Sequence, residues 1–246
     1  MPADTTAAPR ESWRPDLRHA RAYAQSRAGV VAFAVRTPGR HWGFHGTWTM
    51  PSASVVKAML MAAYLRQPGV RGRPLSSQSR ALLGPMIRRS DNVAASQVRN
   101  IVGNDALVRL AHDSHMRRFA PAANWGESRI TANDQTLFFM RIERLLPRRH
   151  RRYAMRLLAR VVPRQRWGFA QAVPAGWRLH FKGGWGSGTG AVDHQAGLLT
   201  RGPRRVAIAV MTLSNPSHDY GKETLRGVAE RLLRGLRARR EVWRPR

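Results

Sequence analysis

Two side chains at the start of a predicted helix have the types and the spacing needed for nucleophilic catalysis. Ser54 and Lys57 stand three residues apart, so that on a helix they share one face. A neutral lysine beside a serine can take the hydroxyl proton, as in serine–lysine hydrolases. The helix N-terminus also offers positive potential and free amides to an anion that forms near Ser54. The pair therefore predicts a serine nucleophile that is activated by an amine.

Two further short motifs follow later in the chain. Ser90-Asp-Asn92 lies between predicted helices, where a hydroxyl and an amide can face one cleft, although a helix N-cap fits the same residues. Lys182-Gly-Gly184 closes a predicted strand, where lysine offers a fixed cation and the glycines allow close backbone approach. A plain strand end before a turn is the alternative. From residue frequencies, chance would produce all three motifs in fewer than about one in a thousand such chains.

Lysine is rare in this chain, which makes each copy informative. Of the 43 basic residues 40 are arginine, and the lysines are Lys57, Lys182 and Lys222. Arginine does not lose its proton in a protein, whereas a buried lysine can. Each lysine is therefore a candidate for proton transfer or for a compact point charge. Lys222, in a loop before the last predicted helix, is the one without a chemical argument.

The composition excludes several classes of site and partner. With 246 residues and 43% hydrophobic content, the chain can build one large core or two modest lobes. The absence of cysteine excludes disulfides, thiolate catalysis and cysteine-ligated metal centres. A net charge of +29 suggests an anionic partner, but the arginines are spread over the whole length without a helix-turn-helix, zinc-finger or RNA-binding signature. We therefore expect no specific nucleic-acid partner.

Other kinds of site find less support in the sequence. His112 and His115 have a spacing that can hold a metal, but no third ligand is evident, so we expect no metal and no other cofactor. Trp125, Trp167 and Trp185 could line a cleft, with core packing as the default. No apolar run approaches the ~18–20 residues of a membrane span, and the N-terminal residues show no signal peptide.

The elements that must position these residues follow from hydrophobic periodicity and turn signals. Five strands are predicted, at residues 28–36, 41–48, 177–185, 191–200 and 205–213. Helices are predicted at residues 12–26, 54–66, 77–89, 92–102, 105–116, 131–146, 148–160 and 222–239. The glycine-rich link at 183–190 is predicted to be a tight hairpin, since no helix with the start of a phosphate loop follows it.

The order of these elements predicts an α/β fold. The simplest packing joins the two early and three late strands in one mostly antiparallel five-stranded sheet, with the terminal helices over one face. The middle helices would form a second lobe, with a cleft between the lobes. The chain is thereby divided into a disordered segment at 1–11, a discontinuous α/β lobe at 12–50 and 164–246, and a helical lobe at 51–163.

The three motifs, in this order, resemble those of the penicillin-recognising serine enzymes, most closely the class A β-lactamase-like serine hydrolases. Met50-Pro-Ser-Ala53 looks like the segment that leads into that family's nucleophile helix, and Ile130-Thr-Ala-Asn-Asp134 looks like the segment just past its omega loop. The resemblance covers about residues 12–240. It implies a class A β-lactamase-like fold, with a five-stranded antiparallel sheet, flanking terminal helices and an inserted all-helical lobe, and it suggests an exported protein.

The resemblance implies catalytic roles for individual residues. Ser54 would be the acylated nucleophile, and Lys57 the amine that activates it. Ser90 would relay a proton to the leaving nitrogen of the substrate. The backbone amides of Ser54 and Trp185 would form the oxyanion hole, as a pair of donors aimed at the developing charge.

The resemblance also implies how a substrate would be held. Asn92 would bind the substrate or the activating amine, and Lys182 would bind a substrate carboxylate and support the relay hydroxyl. Gly183 and Gly184 would line the same strand end. The family usually carries threonine or serine where this chain has Gly183, so one hydrogen bond to a substrate carboxylate is missing.

A second departure from the family concerns the base that would activate water to hydrolyse the acyl-enzyme. The omega-loop signature of the family, Glu-x-x-Leu-Asn, is not plainly present, and Glu127 is the only glutamate near the right region. The expectation is a long-lived acyl-enzyme with weak β-lactam turnover, in which any turnover depends on Glu127.

Three function classes are consistent with these residues. The first is a serine hydrolase that forms an acyl-enzyme with a β-lactam or a peptide-like amide. The second is a slow-turnover penicillin-binding or D-Ala-D-Ala peptidase-like protein, and the third is a non-catalytic domain that binds an anionic polymer. The serine–lysine pair, retained against the arginine bias, favours the first two. The expected ligand is a small-molecule β-lactam or a peptidoglycan-like peptide, bound by a monomer.

Overall fold

A computed structural model describes residues 13–186 and 190–236 of the chain. The predicted disordered segment at 1–11, part of the predicted hairpin link and the end of the last predicted helix lie outside the described residues. Within the described residues, each predicted strand has a counterpart, and helices occupy most of the middle of the chain.

Five of the strands form one antiparallel sheet, as predicted. The strands of the described residues are β1 (Val30–Thr37), β2 (Arg40–Phe44), β3 (Met50–Pro51), β4 (Arg129–Ile130), β5 (Arg178–Gly186), β6 (Val192–Arg201) and β7 (Arg204–Leu213). The sheet has the order β2-β1-β7-β6-β5, and each neighbouring pair is antiparallel. Strand β2 ends before the predicted limit because the backbone turns at His45, which has a φ of 50°.

The helices of the described residues flank this sheet. They are α1 (Leu17–Gln25), α2 (Lys57–Leu65), α3 (Pro68–Arg71), α4 (Ser77–Arg88), α5 (Asn92–Asp113), α6 (Ala132–Leu145), α7 (Arg148–Ala159) and α8 (His218–Leu232). The helices predicted at 92–102 and 105–116 are joined as α5, and Gly103 marks their boundary with a left-handed φ of 70°. Across residues 13–186 and 190–236, no helix combines the length and the apolar character needed to cross a membrane.

The side chains of the central strands alternate between two hydrophobic clusters, one on each face of the sheet. One cluster takes small residues, among them Ala32, Ala34, Ala207 and Ala209. The other takes larger residues, among them Val31, Phe33, Ile208 and Val210. The alanine face lets α6 pack directly on the sheet, while α1 and α8 cover the opposite face. The division into lobes at 12–50 with 164–246 and at 51–163 stays a prediction.

A two-stranded sheet holds the segment that precedes Ser54. Strand β3 pairs antiparallel with β4, so that Met50 lies opposite Ile130. Two residues further, the Ser52 amide donates to the Ser128 carbonyl oxygen at 2.7 Å. The chain therefore reaches the candidate nucleophile already tied to the segment around residues 124–130.

Candidate active site

Ser54 lies in a short 3-10 turn, Ala53–Val56, which runs directly into α2. The sequence predicted an α-helix from Ser54 onward, but the first turn is wound more tightly, as helix N-termini often are. Ser54 is 9% exposed, so most of the residue is buried while part of its surface meets solvent. Ala53 has a φ of 42°, a conformation that non-glycine residues rarely adopt and that concentrates at functional sites.

Lys57 is the first residue of α2, and it is fully buried. Its Nζ donates to the Ser90 carbonyl oxygen at 2.6 Å and to Asn92 Oδ1 at 2.7 Å, and it lies 3.3 Å from Ser90 Oγ. Burial lowers the pKa of Lys57 to about 7, although the charge of nearby Asp91 opposes the shift. The amine can therefore be neutral near physiological pH, which is the state that accepts a proton.

A second lysine approaches the same hydroxyl from the sheet. Lys182, on β5, is fully buried, and its Nζ donates to Ser90 Oγ at 3.0 Å and to the Gly183 carbonyl oxygen at 2.6 Å. Burial, and then the charge of Lys57, hold the pKa of Lys182 well below its ordinary value. The Ser90 hydroxyl thus lies between two amines, each of which can donate a proton to it or accept one from it.

The Ser90-Asp-Asn92 motif both caps a helix and contacts the amine of Lys57. The Asp91 carboxylate caps α5 by accepting from the Ala94 amide at 2.8 Å. Its neighbours Ser90 and Asn92 face the amine of Lys57. Ser90 has a φ of 59°, which turns the chain so that the cap and the site can share three consecutive residues.

Strand β5 lies directly against the turn that carries Ser54, and Gly184 makes this possible. A Cβ added at Gly184 would lie 2.6 Å from the Ser54 amide nitrogen and 2.9 Å from the Val55 amide nitrogen. Such distances are too short for a real side chain, so only glycine fits between the strand and the turn. A Cβ added at Gly183 would find its nearest neighbour, Gln195, at 3.6 Å, which is an ordinary contact.

Trp185 belongs to an aromatic cluster at the end of β5. Its ring packs against Trp167, with centroids 5.7 Å apart, and against His218, with centroids 6.0 Å apart. His218 Nδ1 lies 2.5 Å from Asp193 Oδ1, and burial raises the pKa of Asp193 to about 6 against the opposing effect of His218. Sequence reasoning missed His218, because nothing in its neighbourhood along the chain indicates the pairing with a carboxylate on β6.

His194, on β6, connects the sheet to the segment before Ser54. Its Nε2 lies 3.0 Å from the Pro51 carbonyl oxygen, and its Nδ1 accepts from the Thr212 amide at 3.1 Å. Burial lowers the pKa of His194 to about 4, so the imidazole is neutral and can donate from one nitrogen while it accepts at the other. The residue thus has a structural task in holding the nucleophile segment.

The structure does not bring Glu127 to the candidate catalytic groups. Glu127 is exposed, and its Oε1 accepts from Asn124 Nδ2 at 3.3 Å. Among the residues that the structure describes, its carboxylate makes no hydrogen bond or ion pair with Ser54 or Lys57. Beside the amine of Lys57 lies the indole of Trp125, with its ring centre 4.6 Å from Lys57 Nζ. The geometry gives the predicted role of Glu127 as a base no support.

The part of the chain that the structure describes offers no group of three or more histidine, aspartate or glutamate side chains that could hold a metal ion. His112 is largely exposed and lies beside Asp113. The groups that hydrogen bonds bring together beside the Ser54 turn are the Ser90 hydroxyl, the Asn92 amide and the amines of Lys57 and Lys182, a set suited to proton transfer.

The chain is similar to one family of known proteins and to several solved structures. A family model described as Beta-lactamase enzyme family matches residues 71–236. The solved β-lactamase of Sphaerobacter thermophilus DSM 20745 is similar over 89% of this chain and 96% of its own, with a TM-score of 0.79 at 19% identity. That of Desulfarculus baarsii DSM 2075 is similar over 87% and 96%, with a TM-score of 0.72 at 21% identity.

A PBP-A variant, solved as an acyl-enzyme complex with penicillin G, is similar over 87% of this chain and 93% of its own, with a TM-score of 0.72 at 15% identity. No curated protein matches. At these identities the solved structures show the fold, which is the class A β-lactamase fold that the sequence motifs predicted.

Proposed function

Because the chain belongs to the beta-lactamase enzyme family, we propose that it is a serine hydrolase in which Ser54 attacks a β-lactam or a peptide-like amide and becomes acylated. The observation that carries this proposal is the buried amine of Lys57, which begins the helix directly after the Ser54 turn and bonds to Ser90 and Asn92. A serine needs such a base, since its free hydroxyl is a weak nucleophile.

The hydrogen bonds of Lys57 indicate where its lone pair is available. A neutral amine has two N–H donors and one lone pair, and the two shortest contacts of Nζ are to the acceptors Ser90 O and Asn92 Oδ1. The lone pair is left for a hydroxyl proton. In the proposed first step, Ser54 Oγ bonds to the substrate carbonyl carbon while its proton moves to Lys57.

Ser90 completes the proton transfer to the leaving group. Lys182 donates to Ser90 Oγ, so the hydroxyl of Ser90 keeps its own proton free to move outward. As the carbon–nitrogen bond of the substrate breaks, Ser90 gives this proton to the nitrogen and is reprotonated from Lys57 across 3.3 Å. A protonated Lys182 has a third N–H for the substrate carboxylate, a role that we also propose.

The acyl-enzyme has no evident base for its hydrolysis. No described carboxylate contacts Lys57 or Ser54, and the indole of Trp125 occupies the space beside the amine. We therefore favour slow turnover, as in a penicillin-binding or D-Ala-D-Ala peptidase-like protein, over efficient β-lactam hydrolysis.

The experiment that tests the function is intact mass spectrometry after mixing with benzylpenicillin, followed over time. The expected result is a mass gain of one whole penicillin molecule, since opening of the lactam ring releases no fragment. Tryptic mapping should place the adduct on Ser54, in the peptide that ends at Lys57. The absence of an adduct, or an adduct on another residue, would overturn the proposal.

Replacing Glu127 by glutamine should leave both the adduct lifetime and nitrocefin turnover unchanged. The side chain is exposed and bonds to Asn124, and among the described residues it makes no hydrogen bond or ion pair with Ser54 or Lys57. Slower nitrocefin turnover by Glu127→Gln than by the unmodified protein would support the prediction from sequence that Glu127 is the base for hydrolysis. Turnover by the unmodified protein of about 10 per second or more, the range of ordinary enzymes, would contradict slow hydrolysis.

A further inference from the structure

Trp125 is held beside the amine of Lys57 by one hydrogen bond from its ring and one to its backbone. Its Nε1 donates to Ser96 Oγ at 3.1 Å, one turn beyond Asn92 on α5. Its carbonyl oxygen accepts from Ser52 Oγ at 3.1 Å, in the segment that leads to Ser54. The residue is therefore tied by its ring to α5 and by its backbone to the segment that leads to Ser54.

The ring lies beside the amine and is not one of its hydrogen-bond acceptors. Lys57 Nζ has Ser90 and Asn92 as acceptors, and the face of the indole lies 4.6 Å away. An aromatic ring excludes water, which disfavours the charged amine, whereas its π-electrons attract a cation, which favours it. Burial is the largest cause of the lowered pKa of Lys57, and the Trp125 ring is one of the groups that cover the amine.

We propose that Trp125 is a positioning residue that keeps water away from Lys57, so that the amine is unprotonated when a substrate arrives. The part that concerns substrate rests on the proposed function, whereas the protonation of the free protein does not. Sequence reasoning assigned Trp125 to core packing by default. Its contacts with Ser52, Ser96 and Lys57 instead place it between the loop, the nucleophile segment and α5.

Two variants of similar side-chain volume separate exclusion of water from simple filling of space. Trp125→Leu keeps an apolar side chain over the amine, whereas Trp125→Gln brings a polar one that can bond to an ammonium and admit water. The other titratable groups near the amine, Asp91 and Lys182, are present in both variants and cancel in the comparison.

The direct measurement is the titration of the lysine side chains by carbon-13 NMR. The chain has three lysines, so the spectrum has three signals, which the variants Lys182→Arg and Lys222→Arg assign. In the unmodified protein, Lys57 should titrate with a pKa of about 7. The pKa should stay at or below that value in Trp125→Leu and rise by about one unit or more toward the ordinary ~10.4 in Trp125→Gln.

Equal Lys57 titrations in the leucine and glutamine variants would overturn the proposal, and so would a Lys57 that titrates at its ordinary pKa in the unmodified protein. The pH dependence of penicillin acylation supplies a second readout, whose acid limb should shift in Trp125→Gln by the amount that NMR measures. If the unmodified protein is not acylated, the proposed function fails while the NMR comparison still decides the role of Trp125.

Discussion

Replacing Lys57 by arginine is expected to lower the rate of acylation by penicillin by about 10²–10⁴-fold, the range of a lost general base. A guanidinium keeps its proton throughout the pH range in which proteins fold, so it retains the charge but cannot accept the Ser54 proton. The rate is measured with a fluorescent penicillin, as label incorporated per unit time. Near-normal labelling of Lys57→Arg would show that a positive charge alone is sufficient.

Two further variants separate chemistry from packing at this buried position. Lys57→Met keeps a similar volume without an amine, and it should lose as much activity as Lys57→Arg. Lys182→Arg should retain part of the activity, because binding of a substrate carboxylate needs a cation and not a proton acceptor. Thermal unfolding of each variant shows whether the buried site tolerates the change.

Replacing Gly184 by alanine is expected to slow acylation by about 10²-fold, the cost of displacing a reacting group by about 1 Å. The added methyl group would meet the backbone amides of Ser54 and Val55 at 2.6 and 2.9 Å, and backbone atoms cannot turn aside as a flexible side chain can. Strand β5 and the nucleophile turn must therefore move apart. The measurement is the same penicillin labelling.

Gly183→Ala is the matched control for this substitution. It adds the same group to the neighbouring residue, where the nearest atoms are 3.6 Å away in the side chain of Gln195. Labelling close to that of the unmodified protein is expected. If both alanine variants label normally, the close contact at Gly184 has no role in positioning Ser54. If both alanine variants are labelled slowly, the strand end tolerates no added side chain, and the close contact at Gly184 is not the specific cause.

The sequence predicted well those features that neighbouring residues determine. The apolar, β-branched runs that became β1 and β7 identified their strands, and the short spacing of Ser54 and Lys57 placed them in a 3-10 turn and the helix that directly follows it. The expectation that the three motifs meet came from the family resemblance, and in the structure Lys57 and Lys182 both reach Ser90. The catalytic and binding roles of these residues stay predictions until acylation is measured.

Features that join distant parts of the chain were not predictable in the same way. Trp125 and Lys57 come from distant segments of the chain, and an aromatic residue near a cation leaves no periodic pattern in a sequence. The pairing of Asp193 on β6 with His218 on α8 also joins distant segments, and it leaves no such pattern either. Glu127 was selected because it was the glutamate nearest the expected segment, but position along a loop does not determine the direction of a side chain.

The strand order has a consequence for the synthesis of the chain on the ribosome. Val30 pairs with Leu213, so β1 cannot pair with β7, its second neighbour in the sheet, until almost the entire remaining chain has been synthesised. A hairpin of β1 and β2 alone is marginally stable in water, and pairing between such distant segments is slow. Lys182 and Gly184 also arrive late, so Ser54 acquires its surroundings among the last events of folding. Reaction with penicillin would therefore mark those molecules that have finished folding. A nascent chain halted before β5 has been synthesised should not react with penicillin.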